Sequence, residues 1–339
     1  MQRTHWVLVV AAASTVATGV AAADTIHVPG DLPTIQAAVD FAQSGDTVLV
    51  ADGVWTGAGN RDVNLHGVDI VVRSANGPEG CIIDCQGTVA NPHRAFLIDS
   101  GQTRATLIQG FTIRRGATSA GAVADEFNGG AIRILSSSPT IRGCVFEDNA
   151  CGCWGGALYA GHGGAPLVTE CVFADNYSDD DGGGAFSWDG AHLEITSCLF
   201  VNNMARVTGG AVTAFDVITL RNVTIVGSSA PYGQGVYAFY GEISNSILWG
   251  NGQVPVDGGV PVRYSLVQGG YTGVGNIDLP PRFTLDGYHL RLDSPAINAA
   301  DPAFVPPSEE RDIDGQPRRF MGRVDMGADE YYVGASRAR

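Results

Sequence analysis

Three consecutive aspartates, Asp179, Asp180 and Asp181, are the most closely spaced potential metal ligands in the sequence. Clustered carboxylate oxygens are the ligands that calcium prefers. Asp148 and Asp175 occupy equivalent positions in two repeated segments, and stacking of these segments is expected to bring them near the group. The five aspartates therefore form a candidate calcium site. A solvated acidic turn is the alternative interpretation.

A second candidate site is a column of side chains that follows the Gly-Gly-Ala segments of successive repeats. Side chains alternate between the two faces of a strand, and this alternation predicts that the column points outward. Aromatic rings and an arginine on an outward face suit a sugar chain, whereas ordinary exposed sheet residues are the alternative. The residues of this candidate polysaccharide-binding surface are Arg133, Tyr159, Ser187, Trp188, Asp189, Thr213 and Tyr237.

The sequence does not single out a catalytic pair of carboxylates. General acid–base chemistry on a glycosidic bond requires two acids on opposite sides of a cleft, with the pKa of one displaced. Glu170, Asp189, Glu194 and Asp216 are available, but their spacing does not select two of them. The catalytic residues are therefore not predicted, and enzymatic activity remains an open alternative.

A 27-residue repeat carries these candidate residues, because Cys144, Cys171 and Cys198 recur at that interval in similar surroundings. Each copy contains a short apolar strand, a bend, a second strand that ends in an aromatic residue, a polar loop, Gly-Gly-Ala and a third strand. The runs are short, rich in β-branched residues and punctuated by glycine, so they favour strands over helices. Repetition at this period indicates stacked units. Each repeat is predicted to be one coil of a parallel β-helix.

Stacking of the coils predicts columns of like residues inside the solenoid, separated by the strand spacing of about 4.8 Å. Phe146, Phe173 and Phe200 form one internal stack, which Ile225 continues. The equivalent asparagines, Asn149, Asn176 and Asn203, form a ladder of side-chain amides.

The three repeat cysteines are interpreted as buried thiols that pack as small apolar residues. Their predicted separation slightly exceeds that of a disulfide. Pairing of Cys81 with Cys85, or of Cys151 with Cys153, is left open.

The chain is divided into four segments. Residues 1–23 have the pattern of a secretory signal, since Arg3 precedes an apolar stretch and Ala21-Ala22-Ala23 provides a cleavage site. Residues 24–45 are predicted to form an N-terminal cap with an amphipathic helix, because the apolar end of a solenoid must be covered. Residues 46–275 form the β-helix, and residues 276–339 form a C-terminal capping region.

The composition excludes several classes of function. All 20 basic residues, counted without histidine, are arginine, and the formal net charge is −15. Chemistry that requires a lysine is therefore impossible, and the negative surface disfavours nucleic acid as a partner. After the signal, no segment is apolar enough to span a membrane. The protein is predicted to be exported to the periplasm, the cell surface or the medium.

Several motifs carry a resemblance to known families. The segment IHVPGDLPTIQAAVDFAQSGDTVLVADGVW, residues 26–55, resembles the N-terminal cap of exported proteins in the pectate-lyase-like superfamily, which are right-handed parallel β-helices. The Gly-Gly-Ala and Phe-x-x-Asn elements resemble repeats of polymorphic outer-membrane proteins. The tail, with RDIDGQPR from Arg311 and VDMGADEY ending at Tyr331, resembles that of choice-of-anchor Q domain proteins.

This resemblance implies an all-β, single-stranded, right-handed solenoid with a helical cap. It also implies calcium as a candidate cofactor, because lyases of the superfamily bind acidic sugars through this ion. The motifs of polygalacturonases, pectin methylesterases and pectate lyases are absent from the sequence. The leading hypothesis is a surface-associated β-helix that binds extracellular polysaccharide or another cell-surface component. The alternatives are a polysaccharide lyase or glycoside hydrolase, and a non-catalytic adhesin or structural protein.

Overall fold

Short apolar runs, many of them followed by a residue in the left-handed backbone region, fold into strands of two to four residues over most of the chain. The computed structural model describes residues 23–119, 125–320 and 322–332. The predicted signal, residues 1–23, lies outside the described residues except for its last position.

Strands are the main element of the described ranges, and a single α-helix lies near their start. The first elements are β1 Thr25–Val28, α1 Ile35–Phe41, β2 Thr47–Val50, β3 Gly53–Trp55, β4 Val63–Asn64, β5 Val71–Ser74, β6 Cys81–Asp84, β7 Phe96–Ile98, β8 Leu107–Gln109 and β9 Thr112–Arg114. A 3₁₀ helix, Asp125–Phe127, precedes β10 Ile132–Leu135, β11 Thr140–Arg142, β12 Val145–Glu147, β13 Ala150–Cys151, β14 Leu158–Gly161, β15 Leu167–Thr169, β16 Val172–Ala174, β17 Tyr177–Ser178, β18 Ala185–Ser187 and β19 Leu193–Thr196. The last are β20 Leu199–Val201, β21 Met204–Ala205, β22 Val212–Arg221, β23 Thr224–Val226, β24 Val236–Ser244, β25 Ile247–Trp249, β26 Val256–Asp257, β27 Val262–Arg263 and β28 Leu266–Val267.

The strands form three parallel faces of a solenoid. Face 1 contains β1, β2, β5, β8, β11, β15, β19 and the second half of β22. Face 2 contains β3, β6, β9, β12, β16, β20, β23, β25 and β28, and face 3 contains β4, β7, β10, β14, β18 and the first half of β22. Strand β22 pairs with β18 through its first half and with β19 through its second half, and so joins faces 3 and 1. Strand β24 pairs with both halves of β22 and continues both faces. The predicted architecture of three strands per coil is confirmed.

The predicted internal columns are present. The rings of Phe146 and Phe173 stack with centroids 4.6 Å apart, and those of Phe173 and Phe200 with centroids 4.5 Å apart. Ile225 pairs with Phe200 and continues the column. All four side chains are buried, so the column contributes hydrophobic stabilisation in every coil.

The repeat cysteines are buried thiols, as predicted. The backbone N–H of Cys144 donates to Sγ of Cys171, and that of Cys171 donates to Sγ of Cys198. Burial raises the pKa of the Cys144 and Cys171 thiols. All seven cysteines lie in the described ranges and none of them forms a disulfide, so neither of the two alternative pairings is made.

The asparagine ladder satisfies backbone groups at a corner of each coil. Asn149 Nδ2 donates to Asn176 Oδ1 over 3.0 Å, and Asn176 Nδ2 donates to Asn203 Oδ1 over 2.9 Å. Each of these two oxygens also accepts the backbone N–H of the asparagine in the preceding coil. The ladder therefore fixes the vertical alignment of three coils by side-chain bonds that water does not reach.

The N-terminal helix covers the first coils. Thr34 caps α1 by accepting the N–H of Ala37 on its side chain. Ile35, Ala38 and Val39 are buried against the solenoid. Strand β1 pairs with β2, so face 1 already begins within the segment predicted to be the cap.

Within the described ranges, no helix is long and apolar enough to cross a membrane.

The tail packs against the last coils and then returns along the corner between faces 1 and 2. Leu290, Ala296 and Met326 form a second hydrophobic cluster with Ile247 and Leu266. From there the chain reaches back to β15, where the N–H of Arg311 donates to a carboxylate oxygen of Glu170 over 3.2 Å. The tail thus covers one edge of the solenoid as well as its end.

Arg318 holds the tail together from the inside. Its side chain is about 1% exposed, and its terminal nitrogens donate to the carbonyl oxygens of Asp325, Gly327 and Ala328. A guanidinium group offers five N–H donors in a fixed plane, which suits several carbonyl groups of one curved segment.

Asn176→Ala is expected to lower the free energy of unfolding by about 2–4 kcal/mol, because it leaves several buried backbone and amide groups without partners. Asn76→Ala is the matched control, since Asn76 is exposed and its amide bonds to exposed Asp52. Equilibrium denaturation with urea measures both changes. Equal effects of the two substitutions would contradict the structural role of the ladder.

Candidate functional site

The outward column predicted from the sequence is wrong by one residue at Ser187, because Phe186 occupies that position. The structure pairs Tyr159 with Phe186, Thr213 and Tyr237, whereas Ser187 pairs with Ala160 and Ala214. Three consecutive glycines, residues 182–184, allow the Gly-Gly pair of this coil to be aligned in two ways, and the predicted alignment is the wrong one. A shift of one residue moves a side chain to the opposite face of its strand. Ser187 accordingly lies inside the solenoid and is fully buried.

Two further members of the column point away from the core but are covered by loops. Tyr159 is fully buried and stacks on Phe186 with centroids 5.8 Å apart. Thr213 is also fully buried, and its hydroxyl bonds to Thr208. Arg133 lies in the same column as Tyr159 and forms a salt bridge with Asp99 over 3.2 Å. The predicted exposure is therefore wrong for Tyr159, Ser187 and Thr213.

An exposed aromatic surface does occur next to this column, in successive coils of face 3. We call it the aromatic strip and define it as Trp154, Phe186, Trp188, Phe215, Tyr237, Phe239 and Tyr240. Neighbouring rings are linked by centroid distances from 4.9 to 6.4 Å. The relative exposures of Trp188, Phe239 and Tyr240 are 43%, 42% and 61%. Phe186, which links the two tryptophans to Phe215, is fully buried, so the strip is exposed at Trp188 on one side and at Phe239 and Tyr240 on the other. Large exposed rings indicate a binding surface.

Polar groups border the strip. Asp189 is exposed beside Trp188, and its carboxylate lies 3.6 Å from Nε2 of His162. The carboxylate of Asp216 accepts the N–H of Gly190 over 2.7 Å. Two predicted residues, Trp188 and Asp189, thus lie at the solvent, as expected for the candidate polysaccharide-binding surface.

The three consecutive aspartates bind protein groups. Asp179 accepts the hydroxyl of Tyr177, and Asp180 accepts the indole N–H of Trp154. Asp181 is buried and accepts both the N–H and the hydroxyl of Thr208. These bonds orient the three carboxylates towards different partners.

Asp148 and Asp175 have a conformational role. Both are exposed, and their φ angles of 54° and 55° lie in the left-handed region, which aspartate tolerates better than most residues. Asn202, Gly227 and Gly250 occupy the same corner in later coils, also with positive φ. No three of the five predicted calcium ligands, all of which are described residues, bring oxygen atoms within 4.8 Å of one another. The predicted calcium site is therefore not assembled.

A cleft lies between the returning tail and face 1. The solenoid contributes Arg142, Glu170, Glu194 and Arg221 to its lining, and the tail contributes Glu310 among others. The Nε atoms of Arg142 and Arg221 are buried without hydrogen-bond partners among the described residues. Glu310 accepts bonds from Ser197 and Asn222 and lies 3.5 Å from Arg221. The cleft thus combines two arginines with several carboxylates.

Glu170 has the features of a general acid within this cleft. Burial raises its pKa and Glu310 raises it further, while Arg142 and the N–H of Arg311 partly oppose these effects. Its φ of 58° is unusual for a glutamate and costs conformational free energy. A carboxyl that retains its proton at higher pH can donate it to a leaving group. Of the four acids left open by the sequence, the structure favours Glu170 for this chemistry.

Sequence reasoning missed Trp154, Phe186, Phe215, Phe239 and Tyr240 of the strip and Glu310 of the cleft. A weak signal for Phe239 and Tyr240 is the run YAFY, residues 237–240, in which aromatics follow a Gly-x-Gly corner. Glu310 gave no local signal, because its partners Ser197 and Asn222 lie about 90 to 110 residues earlier in the chain.

The stacked coils and the three parallel faces define a parallel β-helix protein. The chain belongs to the family described as the right handed beta helix region, whose family model matches residues 61–258, more than half of the sequence. The right-handed parallel β-helix expected from the motifs is thereby confirmed. No curated protein sequence gives a significant match.

Among solved structures, the chain resembles the crystal structure of a pectin methylesterase in complex with hexasaccharide VII. The sequences are 12% identical, the TM-score is 0.38, and the match covers 78% of this chain and 95% of the other. At this level the likeness concerns the fold.

Glu170→Gln is expected to flatten the pH dependence of stability. Glutamate in an unfolded chain has a pKa of about 4.3, and the fold raises the pKa of Glu170 above its ordinary value. The folded state therefore binds this proton more tightly, and the resulting stabilisation is lost as the pH rises through the folded-state pKa. Thermal unfolding between about pH 4 and about pH 8 should show the wild type losing stability relative to the variant.

Exposed Glu79 provides the control for this measurement. A Glu79→Gln variant should follow the pH profile of the wild type. A constant difference between the wild type and Glu170→Gln at every pH would contradict the raised pKa.

Proposed function

We propose that this protein is an exported β-helix that binds extracellular polysaccharide through the aromatic strip. The observation that carries the proposal is the series of ring contacts over successive coils, which is open to solvent at Trp188 on one side and at Phe239 and Tyr240 on the other. Aromatic side chains bury a large apolar area at little conformational cost and retain specific geometry. They suit the apolar faces of sugar rings.

The scaffold holds these rings in place before any ligand arrives. The strand under Phe186 pairs with its neighbours in both adjacent coils. Phe186 itself is clamped between Trp154 and Tyr159. Binding to a pre-organised surface avoids part of the entropy cost of ordering side chains. Asp189, Asp216 and His162 at the border provide hydrogen-bonding groups for hydroxyls.

The charge of the protein favours an uncharged polysaccharide. The formal net charge is −15, and carboxylates border the strip, so an acidic glycan would be repelled at low ionic strength. The proposed ligand is therefore a neutral glycan.

The proposal of export rests on the signal-like segment, residues 1–23. Sequencing the N-terminus of protein recovered outside the cytoplasm tests it, and the sequence should begin at Asp24.

Replacing exposed rings of the strip is expected to weaken glycan binding step by step. Trp188→Ala and Tyr240→Ala should each reduce affinity by about 5- to 10-fold, corresponding to about 1 kcal/mol or somewhat more. The double variant should lose close to the sum of the two free energies, because each ring makes its own contact. Sedimentation with insoluble neutral glycans and calorimetry with soluble ones measure the effect.

Phe41→Ala is the matched control, because Phe41 is 71% exposed and lies on α1 at the opposite end of the solenoid. It should bind like the wild type. If the wild type binds no glycan, or if Phe41→Ala is as defective as Trp188→Ala, the proposal is wrong.

A second candidate function is hydrolysis or elimination at the cleft, favoured by the raised pKa of Glu170 beside Arg142. Mass spectrometry of the same supernatants distinguishes the two functions. Oligosaccharide release by the wild type that is lost in Glu170→Gln would support an enzyme. Release that persists in this variant would exclude Glu170 as its acid.

A further inference from the structure

Three distant segments of the tail meet around His289. The first is a hairpin in which Thr284 donates its N–H to the carbonyl of His289 and Phe283 bridges to Leu290. The second is a turn over residues 312–315, and the third is the segment over residues 325–331. The N–H of Ile313 in the second segment donates to the carbonyl of Ala328 in the third, and side chains add the remaining links.

One side chain from each segment points to a common position. His289, Asp314 and Asp329 each offer a ligand atom, and these atoms all lie within 4.8 Å of one another. His289 is 3% exposed and Asp329 is 2% exposed. The group combines a buried imidazole with two carboxylates, which is a different donor set from a cluster of surface acids.

The imidazole of His289 lies between two carboxylates. Its Nδ1 lies 2.7 Å from Asp286, and its Nε2 lies 3.0 Å from Asp314. Both ring nitrogens are therefore held in place.

A separate observation concerns Asp314. Its Oδ1 faces His289, but its Oδ2 is buried and has no hydrogen-bond partner among the described residues. A buried carboxylate oxygen without a donor carries a free-energy penalty. Metal coordination removes such a penalty, so this oxygen itself points to a missing positive ligand.

Asp286 is a carboxylate on Nδ1 of His289, and metal-binding histidines usually have such a hydrogen-bond partner on the nitrogen that does not bind the metal. It accepts the N–H groups of Tyr288 and His289 and the hydroxyl of Thr284 on one oxygen, which fixes its orientation, and it faces Nδ1 with the other. A carboxylate on Nδ1 selects the tautomer whose Nε2 is free to bind a metal.

We propose that His289 Nε2 and the carboxylates of Asp314 and Asp329 bind a first-row divalent transition-metal ion, with Asp286 as the positioning residue. An imidazole together with two carboxylates suits zinc or manganese, whereas calcium prefers oxygen ligands alone. The site lies outside the strip and the cleft and does not depend on the proposed function.

Binding of the ion replaces the hydrogen bond between His289 and Asp314. The Nε2–H···Oδ1 hydrogen bond between His289 and Asp314 is replaced by coordination of both atoms, and the Nε2 proton is released to solvent. Because the three ligands come from segments up to 40 residues apart, the ion would cross-link the tail. It would thereby stabilise the part of the chain that leads back to Glu170.

The test uses the full chain, stripped with a chelator and then titrated separately with zinc, manganese and calcium. Calorimetry is expected to show one transition-metal ion per chain, with a higher melting temperature after addition. Asp314→Asn should weaken binding by about 100-fold or more, and Asp286→Asn by about 10- to 100-fold. His66→Gln should have no effect, because His66 and Asp40 form an exposed pair without a third ligand.

Circular dichroism establishes that each variant is folded. If Asp314→Asn unfolds, the visible absorption of cobalt bound to the wild type decides the question, since it reports nitrogen and oxygen ligands directly. Absence of binding to the folded wild type would overturn the proposal. So would binding of calcium alone, or zinc binding that Asp314→Asn leaves unchanged.

Discussion

The backbone hydrogen bonds between successive coils are the constraint on which the rest of the structure depends. They place each residue about one strand spacing above its equivalent, so that a side chain's position in the coil decides whether it faces the core or the solvent. Among the side chains that face inward, this alignment produces the columns of phenylalanine, cysteine and asparagine. Among those that face outward, it brings aromatic rings of successive coils into contact. The core and the aromatic strip are therefore two consequences of one register.

The corner between faces 1 and 2 shows how the tail is accommodated. From Gly110 onward, the residue at this corner in each coil has positive φ, a conformation that glycine and asparagine tolerate best. Gly110 and Gly143 occupy it in early coils. In later coils it is occupied by residues whose side chains or carbonyls bond to the tail, namely Glu170, Ser197, Asn222 and Asn245. Hydrogen bonds to the tail offset the cost of the left-handed backbone at these four positions.

The fold could be predicted from the sequence because its determinants are local and repeated. The spacing of the cysteines, the phenylalanine column and the asparagine ladder each specify one coil, and the structure contains all three. The register of Ser187 was mispredicted because the Gly-Gly-Ala motif was matched to the last two of three adjacent glycines, whereas the 27-residue period aligns Tyr159 with Phe186. The predicted role of Asp148 and Asp175 was also wrong, since a left-handed corner and a metal site both favour aspartate. The contacts of Glu310 and His289 join segments far apart in sequence, and only the folded tail reveals them.

Thiol accessibility tests the register most directly. The seven native cysteines are thiols, of which six are buried and Cys153 is half-buried. The stacked coils place Ser187 inside and its neighbour Trp188 at the surface. A Trp188→Cys variant should gain one thiol that reacts rapidly with an aromatic disulfide reagent, whereas Ser187→Cys should gain none while folded. Equally rapid reaction of both new thiols would contradict the register on which the strip and the core are based.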